Sequence, residues 1–374
     1  MLSKAAAKQY YIGIMSGTSL DAIDVAITQR TAAGFKQIAG MALPLADDLR
    51  QKLLTICQDK QVDLQTLGEV DFQFADACAQ VVNQLLEDNQ LDAPQISAIG
   101  SHGQTIFHSP NGAFPFTQQI GDANLIAAKT GITCVADFRR MDMAYGGQGA
   151  PLVPAFHQAL FAQQGETRVI LNIGGIANIT VLESDKKVLG YDTGPGNTLI
   201  DAWSEKINGD SYDKGGQFAA QGEILPDLLR LLLTDDYFSQ LPPKSTGREK
   251  FNLAWIAQCL EQLPLAAYNN ADIQRTLLEL SAVTISAQIK LHTTACAVFV
   301  CGGGALNPLL MQRLVALMHG YQVMDTNALN IDPMFVEAVA FAWLAEQRLL
   351  GHRIPLKAVT GAQRDALLGC IYQP

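Results

Sequence analysis

The run GYDTGPGNTLIDAW, residues 190–203, sets an acid, Asp192, after a strand-like stretch and before a turn stiffened by Gly194, Pro195 and Gly196. A carboxylate there can project into a cleft as a general base, and the N–H groups opening a following helix can hold phosphate or water. The same pattern also serves as an N-cap or Asx turn, so residue types alone leave both roles open.

A second chemical stretch is YIGIMSGTSLDAIDVAI, residues 11–27, where two β-rich runs flank the turn SGTS and two acids, Asp21 and Asp24. A hairpin chosen for folding alone would carry a simple Asn-Gly or Asp-Gly turn. Here the backbone N–H groups and the hydroxyls of Ser16, Thr18 and Ser19 can cradle phosphate, and a nearby acid can hold Mg²⁺ directly or through water. No GxxxxGK[ST] is present, so a P-loop is not the route to a nucleotide.

The third is AVFVCGGGALNPLLMQRLVALM, residues 297–318: a buried strand, three glycines, and a helix opening near Asn307 and Pro308. Glycines there let a ligand approach the backbone, which makes this turn a nucleotide-site candidate. In ADFRRMDMAYGGQGAPLVPAFH, residues 136–157, Asp137, Arg139 and Arg140 precede a bend at Gly146, Gly147 and Gly149. The planar fork of arginine suits a sugar-acid carboxylate, and a surface ion pair with Asp142 is the competing reading. His102 of SHGQT has no paired nucleophile and reads as a hydrogen-bonded structural residue. The segments 206–216 and 242–252 are polar, the latter basic through Lys244, Arg248 and Lys250, with a solvated loop as its plainest reading.

Composition bounds these possibilities. A net charge of −10 argues against nucleic acid or an anionic membrane as the main partner. The seven cysteines form no CxxC pair and sit in apolar runs, the pattern of buried reduced thiols. No apolar run approaches the ~20 residues of a membrane span, and MLSKAAAKQYY lacks a signal-peptide core, so the expected location is cytoplasmic.

Periodicity predicts strands over 10–15, 23–28 and 35–43, helices over DLRQKLLTICQ and LGEVDFQFADACAQVVNQLLED, and one short strand through ISAIGSHGQTIFH ending at a cleft. RVILNIGGIANITVLE, residues 168–183, repeats the opening hairpin around Gly174 and Gly175, which points to an internal duplication. The expected domains are 1–136, rejoined by about 355–374, and 137–354.

Together, MSGTSLDAID, SHGQTIFH, DFRRMD with GGQGAPLVP, NIGGIAN, YDTGPGN, KSTGREKFN and CGGGALN resemble, in order and spacing, the anhydro-N-acetylmuramic acid kinases. The resemblance spans nearly the whole chain. It implies an α/β fold shared with sugar kinases and actin, two ribonuclease H-like domains around an ATP and sugar cleft, and a homodimer. It implies that Ser16, Gly17, Thr18, Ser19, Leu20, Asp21, Ala22, Ile23 and Asp24 form one phosphate loop and Gly174 with Gly175 the other. Gly194, Gly196 and Asn197 border the nucleotide, and Gly302, Gly303, Gly304 and Asn307 form the adenosine loop. Asp192 becomes the catalytic base, Asp21 the Mg²⁺ ligand, and Gln104, Asp137, Arg139, Gln148 and Glu337 the sugar contacts, Arg139 facing the lactyl carboxylate. The implied reaction opens the 1,6-anhydro ring with water and phosphorylates O6 from ATP, giving N-acetylmuramic acid 6-phosphate and ADP in peptidoglycan recycling.

The chain departs from the family at Ala22, where glycine is common, and in DPMFVEA, which lacks a lysine many members carry before the acid. Two rival readings stand beside the resemblance. One is a dinucleotide oxidoreductase with Asp325 as its ribose acid, although its third fingerprint glycine is replaced by Asn307. The other is a non-catalytic sugar sensor, although no basic helix-turn-helix accompanies the core.

Overall fold

The computed structural model describes residues 10–17, 19–32, 34–183, 188–242, 244–263 and 268–374. The strands are β1 (Tyr10–Met15), β2 (Ala22–Thr31), β3 (Gly34–Pro44), β4 (Ile96–Ser101), β5 (Gln104–Ser109), β6 (Phe116–Ile120) and β7 (Cys134–Ala136). They continue with β8 (Arg168–Ile173), β9 (Ile176–Leu182), β10 (Leu189–Pro195), β11 (Ala297–Cys301), β12 (Gln322–Asp325) and β13 (Cys370–Tyr372). The chain divides into two compact units, residues 1–160 with 335–374, and residues 161–334. Relative to the sequence-based boundaries, residues 137–160 and 335–354 go with the first unit.

In the first unit the sheet order is β13-β7-β4-β1-β2-β3. β1, β2 and β3 form an antiparallel meander, β4 runs parallel to β1, and β7 runs parallel to β4. In the second unit the order is β10-β9-β8-β11-β12, again an antiparallel meander followed by two strands parallel to its first member. The duplication expected from the two hairpins is therefore one of topology. The run ISAIGSHGQTIFH differs from its single-strand reading: it breaks at His102 and Gly103, and β5 leaves the main sheet to pair with β6 alone.

The predicted long helix runs Leu64–Asp88. Asp63 caps it by accepting from the Thr66 N–H at 2.9 Å, and Val70, Phe74, Cys78, Val81 and Leu85 bury one face at helical spacing. The helix Val336–Leu350 is apolar almost all round and lies on β1 and β4 at backbone range. A Cβ on Gly13 would overlap the Ala338 carbonyl and sit 2.8 Å from the Ala342 nitrogen, and one on Gly100 would overlap the Phe341 carbonyl. Two strand glycines and a row of helix alanines thus remove the usual layer of side chains, which assigns this helix to the first unit. The second core gathers Val169, Leu171, Ile179, Leu277, Ile285, Val298 and Leu314 between the second sheet and the helices Asn270–Lys290 and Pro308–Leu317.

Candidate active site

In the second unit, β8, β10 and β11 share a direction, so their carboxyl ends lie on one edge, the usual ligand edge of an open α/β sheet. The Gly174–Gly175 turn is locked there: the Gly174 carbonyl accepts from Asn197 N–H at 2.9 Å, and the Gly175 carbonyl accepts from Gly196 and Thr198 N–H at 2.9 and 3.0 Å. Gly196 must be glycine, because a Cβ would overlap the Gly174 carbonyl. Asn197 does not cap its own helix; its side-chain amide donates to the Ile173 carbonyl at 3.2 Å. Gly302 and Gly304 press on the end of β8 at Ile173, while Gly303 is open, its closest contact being Asn197 Nδ2 at 3.7 Å from an added Cβ. Asn307 caps the helix Pro308–Leu317 by accepting from Leu310 N–H. Asp325 likewise caps the turn after it, accepting from Asn327 N–H.

Asp192 lies within β10 rather than after it, at a bulge between Asp192 and Gly194. Its carboxylate does not bond locally as an Asx turn would. Oδ2 accepts from the Thr246 N–H at 3.0 Å, and the main chain is held on both sides, N–H to the Lys244 carbonyl at 3.2 Å and C=O from the Tyr237 hydroxyl at 2.7 Å. Among the described residues Oδ1 accepts no hydrogen bond. Burial raises its pKa, opposed by the Thr246 N–H and reinforced by the charge of Glu249. One oxygen is thus fixed, the other is free, and proton affinity is increased, the conditions a base needs.

The segment 244–250 is not a solvated loop. Lys244 is buried, donates to the Tyr237 carbonyl at 3.1 Å and lies over the Tyr237 ring; Lys250 pairs with Asp235 at 2.7 Å. Sequence reasoning missed Thr246 and the segment's grip on Asp192. The available signal was a cluster of cations in an acidic chain.

In the first unit, Ser16 is buried and donates to the Ala22 carbonyl at 3.1 Å, while the Gly17 carbonyl accepts from Leu20 N–H and from Gln104 Nε2, both at 3.3 Å. Thr18 lies outside the described residues. Ser19 is partly exposed in the turn, and Ala22 opens β2. Leu20 and Ile23 were expected at the nucleotide, yet their side chains are buried in the core, so only their backbone can face a ligand. Asp21 is exposed and sits 3.7 Å from Arg50. Asp24 is the more perturbed acid: burial, then the charges of Glu337 and Asp21, push its pKa up to about 6.

Beyond β4 three buried atoms, Ser101 Oγ, His102 Nδ1 and Gln104 Oε1, have no hydrogen-bond partner of good geometry among the described residues, the His102 ring lying near the Ser16 and Gly103 backbone. Native interiors rarely leave such atoms unpaired without a ligand or water. His102 Nε2 accepts from Arg139 Nη2 at 2.8 Å and Nε at 3.1 Å, so the ring is neutral with its proton on Nδ1; burial and the Arg139 charge hold its pKa well down. The remaining Arg139 bond goes from Nη1 to the Gly149 carbonyl at 2.8 Å. Burial lowers its pKa to about 10 against the raising effect of Glu337, whose own pKa burial raises. The arginine expected to be a free fork is therefore a partly buried strut with two N–H groups left. Asp142 forms no ion pair with it, accepting instead from Gly149 N–H and the Thr360 hydroxyl, each at 2.7 Å. Gln148 is exposed, its N–H on the Thr360 carbonyl. Asp137 pairs with Arg140 at 2.6 Å and lines, with His102, Gly103 and Asp122, a cavity of about 410 Å³; Gln104, Arg139, Gln148 and Glu337 do not line it.

The Asp24 environment yields a stability prediction. Its carboxyl holds a proton more tightly folded than unfolded, so its contribution to stability is complete below the ordinary carboxylate range and is lost as pH rises through about 6. Roughly two pKa units correspond to about 3 kcal/mol. Asp24→Asn, in chelator, is expected to melt a few degrees above wild type at pH 8 and level with it near pH 4, read by calorimetry. A lower melting point at pH 8 would show that the charged carboxylate is already compensated.

A family model described as anhydro-N-acetylmuramic acid kinase matches residues 9–374. The chain is 51% identical over 369 residues to a protein of that name from Vibrio vulnificus strain CMCP6, covering 98% of each chain. It is 51% identical over 368 residues to one from Pasteurella multocida strain Pm70, covering 98% of this chain and 97% of the relative. Among solved structures, the activator of the 2-hydroxyisocaproyl-CoA dehydratase from Clostridium difficile with bound ADPNP aligns with a TM-score of 0.46 at 12% identity, covering 91% of this chain and 96% of that one. A ROK family glucokinase from Streptomyces griseus aligns with a TM-score of 0.38 at 13% identity, covering 90% of this chain and 99% of that one.

Proposed function

The chain belongs to the anhydro-N-acetylmuramic acid kinase family, and from that membership we propose how its residues divide the hydrolysis and phosphorylation of 1,6-anhydro-N-acetylmuramic acid. A water oxygen attacks C1 and gives its proton to Asp192 Oδ1. The C1–O6 bond breaks, O6 attacks the γ-phosphorus, and the bond from that phosphorus to the β-phosphate oxygen breaks. The products are N-acetylmuramic acid 6-phosphate and ADP, with Asp192 releasing its proton to solvent afterwards.

The observation that carries this division is the Asp192 carboxylate, pinned through Oδ2 with Oδ1 open and its pKa raised by burial. Ser101 Oγ, His102 Nδ1 and Gln104 Oε1, unpaired among the described residues, supply a polar surface for sugar hydroxyl and amide groups. Arg139, Gln148, Asp137 and Glu337 complete the proposed sugar set, Arg139 offering its two remaining N–H groups to the lactyl carboxylate. ATP is assigned to the Ser16–Asp24 and Gly174–Gly175 loops, with Gly194, Gly196 and Asn197 on the side of the latter, and its adenosine to Gly302–Gly304 and Asn307.

Mg²⁺ fits the first loop. Asp21 and Asp24 are hard oxygen donors, and the charge crowding at Asp24 is of the kind a cation relieves. The ion would be held there by one or two carboxylates together with phosphate and water, and when bound it neutralises phosphate charge. No helix among the described residues is long and apolar enough to cross a membrane. A cytoplasmic location is proposed on the need for ATP, and a homodimer on the family resemblance.

The test is turnover with ATP, Mg²⁺ and the anhydro sugar in ¹⁸O water. The expected product carries one phosphate and one ¹⁸O at C1. Unlabelled C1, or ADP without sugar phosphate, would overturn the proposal.

A further inference from the structure

Rotating outward along the segment that grips Asp192, Thr246 is followed after one residue by Arg248, which is exposed. Its guanidinium lies against the Gly174–Gly175 turn: a Cβ on Gly175 would sit 3.3 Å from Nη2 and 3.4 Å from Nε. No hydrogen bond from the guanidinium to the turn is made among the described residues: the Gly175 carbonyl accepts from Gly196 and Thr198 N–H, and the Gly174 carbonyl from Asn197 N–H. Among the described residues, the Arg248 guanidinium has no hydrogen-bond or ion-pair partner. Other arginines do pair: Arg313 bonds Glu279 through two nitrogens at 2.7 and 2.8 Å, and Arg140 pairs with Asp137. A second atom in the segment is also unmatched, since the buried Thr246 Oγ1 has no partner among the described residues.

A guanidinium with its donors open, on the carboxyl edge of a sheet, in a chain of net charge −10, marks a local anion site. We propose that Arg248 binds the terminal phosphates of the nucleotide over the Gly174–Gly175 turn, an inference that rests on the kinase reading. The same short segment donates Thr246 N–H to Asp192, so an occupied phosphate site also steadies the base. Arg248 is thus a phosphate-binding residue that positions Asp192 through the main chain between them. A glycine at 175 keeps the slot in which the guanidinium lies.

The test measures ATP, ADP and adenosine binding by calorimetry, with kcat, for wild type, Arg248→Ala and Arg248→Lys. Charge-assisted bonds of this class correspond to about 10- to 100-fold in affinity. Arg248→Ala is expected to weaken ATP and ADP by that factor, leave adenosine unchanged and lower kcat, and Arg248→Lys to recover part of the affinity as a point charge. Wild-type affinity for all three ligands, or an equal loss for all three, would overturn the proposal, the second outcome marking a merely structural residue. If wild type itself binds no ATP, the kinase reading falls and this inference with it. If wild type turns over while Arg248→Ala binds ATP normally, only the inference falls.

Discussion

Asp192→Asn is expected to lose turnover by about three to four orders of magnitude, the upper part of the range for a positioned base, while keeping ATP affinity and melting no lower than wild type, since burial disfavours the charged carboxylate it removes. The fold should survive because asparagine retains an oxygen to accept from Thr246 N–H, and the main-chain bonds to Lys244 and Tyr237 do not involve the carboxylate. What is lost is the group that takes the proton from water. In wild type that group works only when ionised. Burial raises its pKa, so the acid limb of kcat is expected above the ordinary carboxylate range, activity falling as pH drops through it and Asp192 retains its proton. A pH profile from 4 to 9, beside ATP titrations of both proteins, checks this. More than a tenth of wild-type turnover in the asparagine variant would remove Asp192 from the role of base.

The largest effect on stability is expected at Gly13. Gly13→Val is expected to cost the first unit more than about 4 kcal/mol, the range reserved for overpacking that the surroundings cannot absorb. The obstacle is backbone: a side chain would enter the Ala338 carbonyl and crowd the Ala342 nitrogen of the helix Val336–Leu350. Gly68, inside the helix Leu64–Asp88, is the internal contrast. A Cβ there meets nothing within 4 Å, so Gly68→Ala should stabilise by roughly 0.5–1 kcal/mol through helix propensity. Denaturant unfolding followed by hydrogen exchange at β1 separates the two. A Gly13→Val protein as stable as wild type would mean that the helix can lift off the sheet at little cost.

The strands were most legible as short apolar runs bounded by turn residues. β1, β2, β8 and β9, each holding three or four consecutive buried residues, lie close to where those runs predict them, and CGGGALN gives the strand, turn and helix it promises. The long-range assignments were not legible. An all-round apolar helix such as Val336–Leu350 advertises burial but not its partner, and it belongs to strands more than two hundred residues earlier in the sequence. ISAIGSHGQTIFH also misleads, since apolar residues resume at Ile106 after the polar run SHGQT, and nothing local shows that the chain turns at Gly103, at φ +74°, into another sheet. At the site, the types of Asp192, Gly196 and Asn307 were readable, but their partners were not. That Thr246 donates to Asp192, that Asp24 faces Glu337, and that Leu20 and Ile23 turn inward are facts of tertiary contact. Arg139 shows the same limit, its fork being spent on His102 and Gly149, residues no local pattern ties to it.

The first unit is built from both ends of the chain, and this bears on how the polypeptide emerges during synthesis. A ribosome that has made residues 1–334 has released every strand of the second sheet, but neither the helix that covers β1 and β4 nor β13, the neighbour of β7. The second unit can then close on itself while the earlier-born half waits, its glycine-lined face bare until the final segment arrives. For this protein, the part translated first is the part completed last.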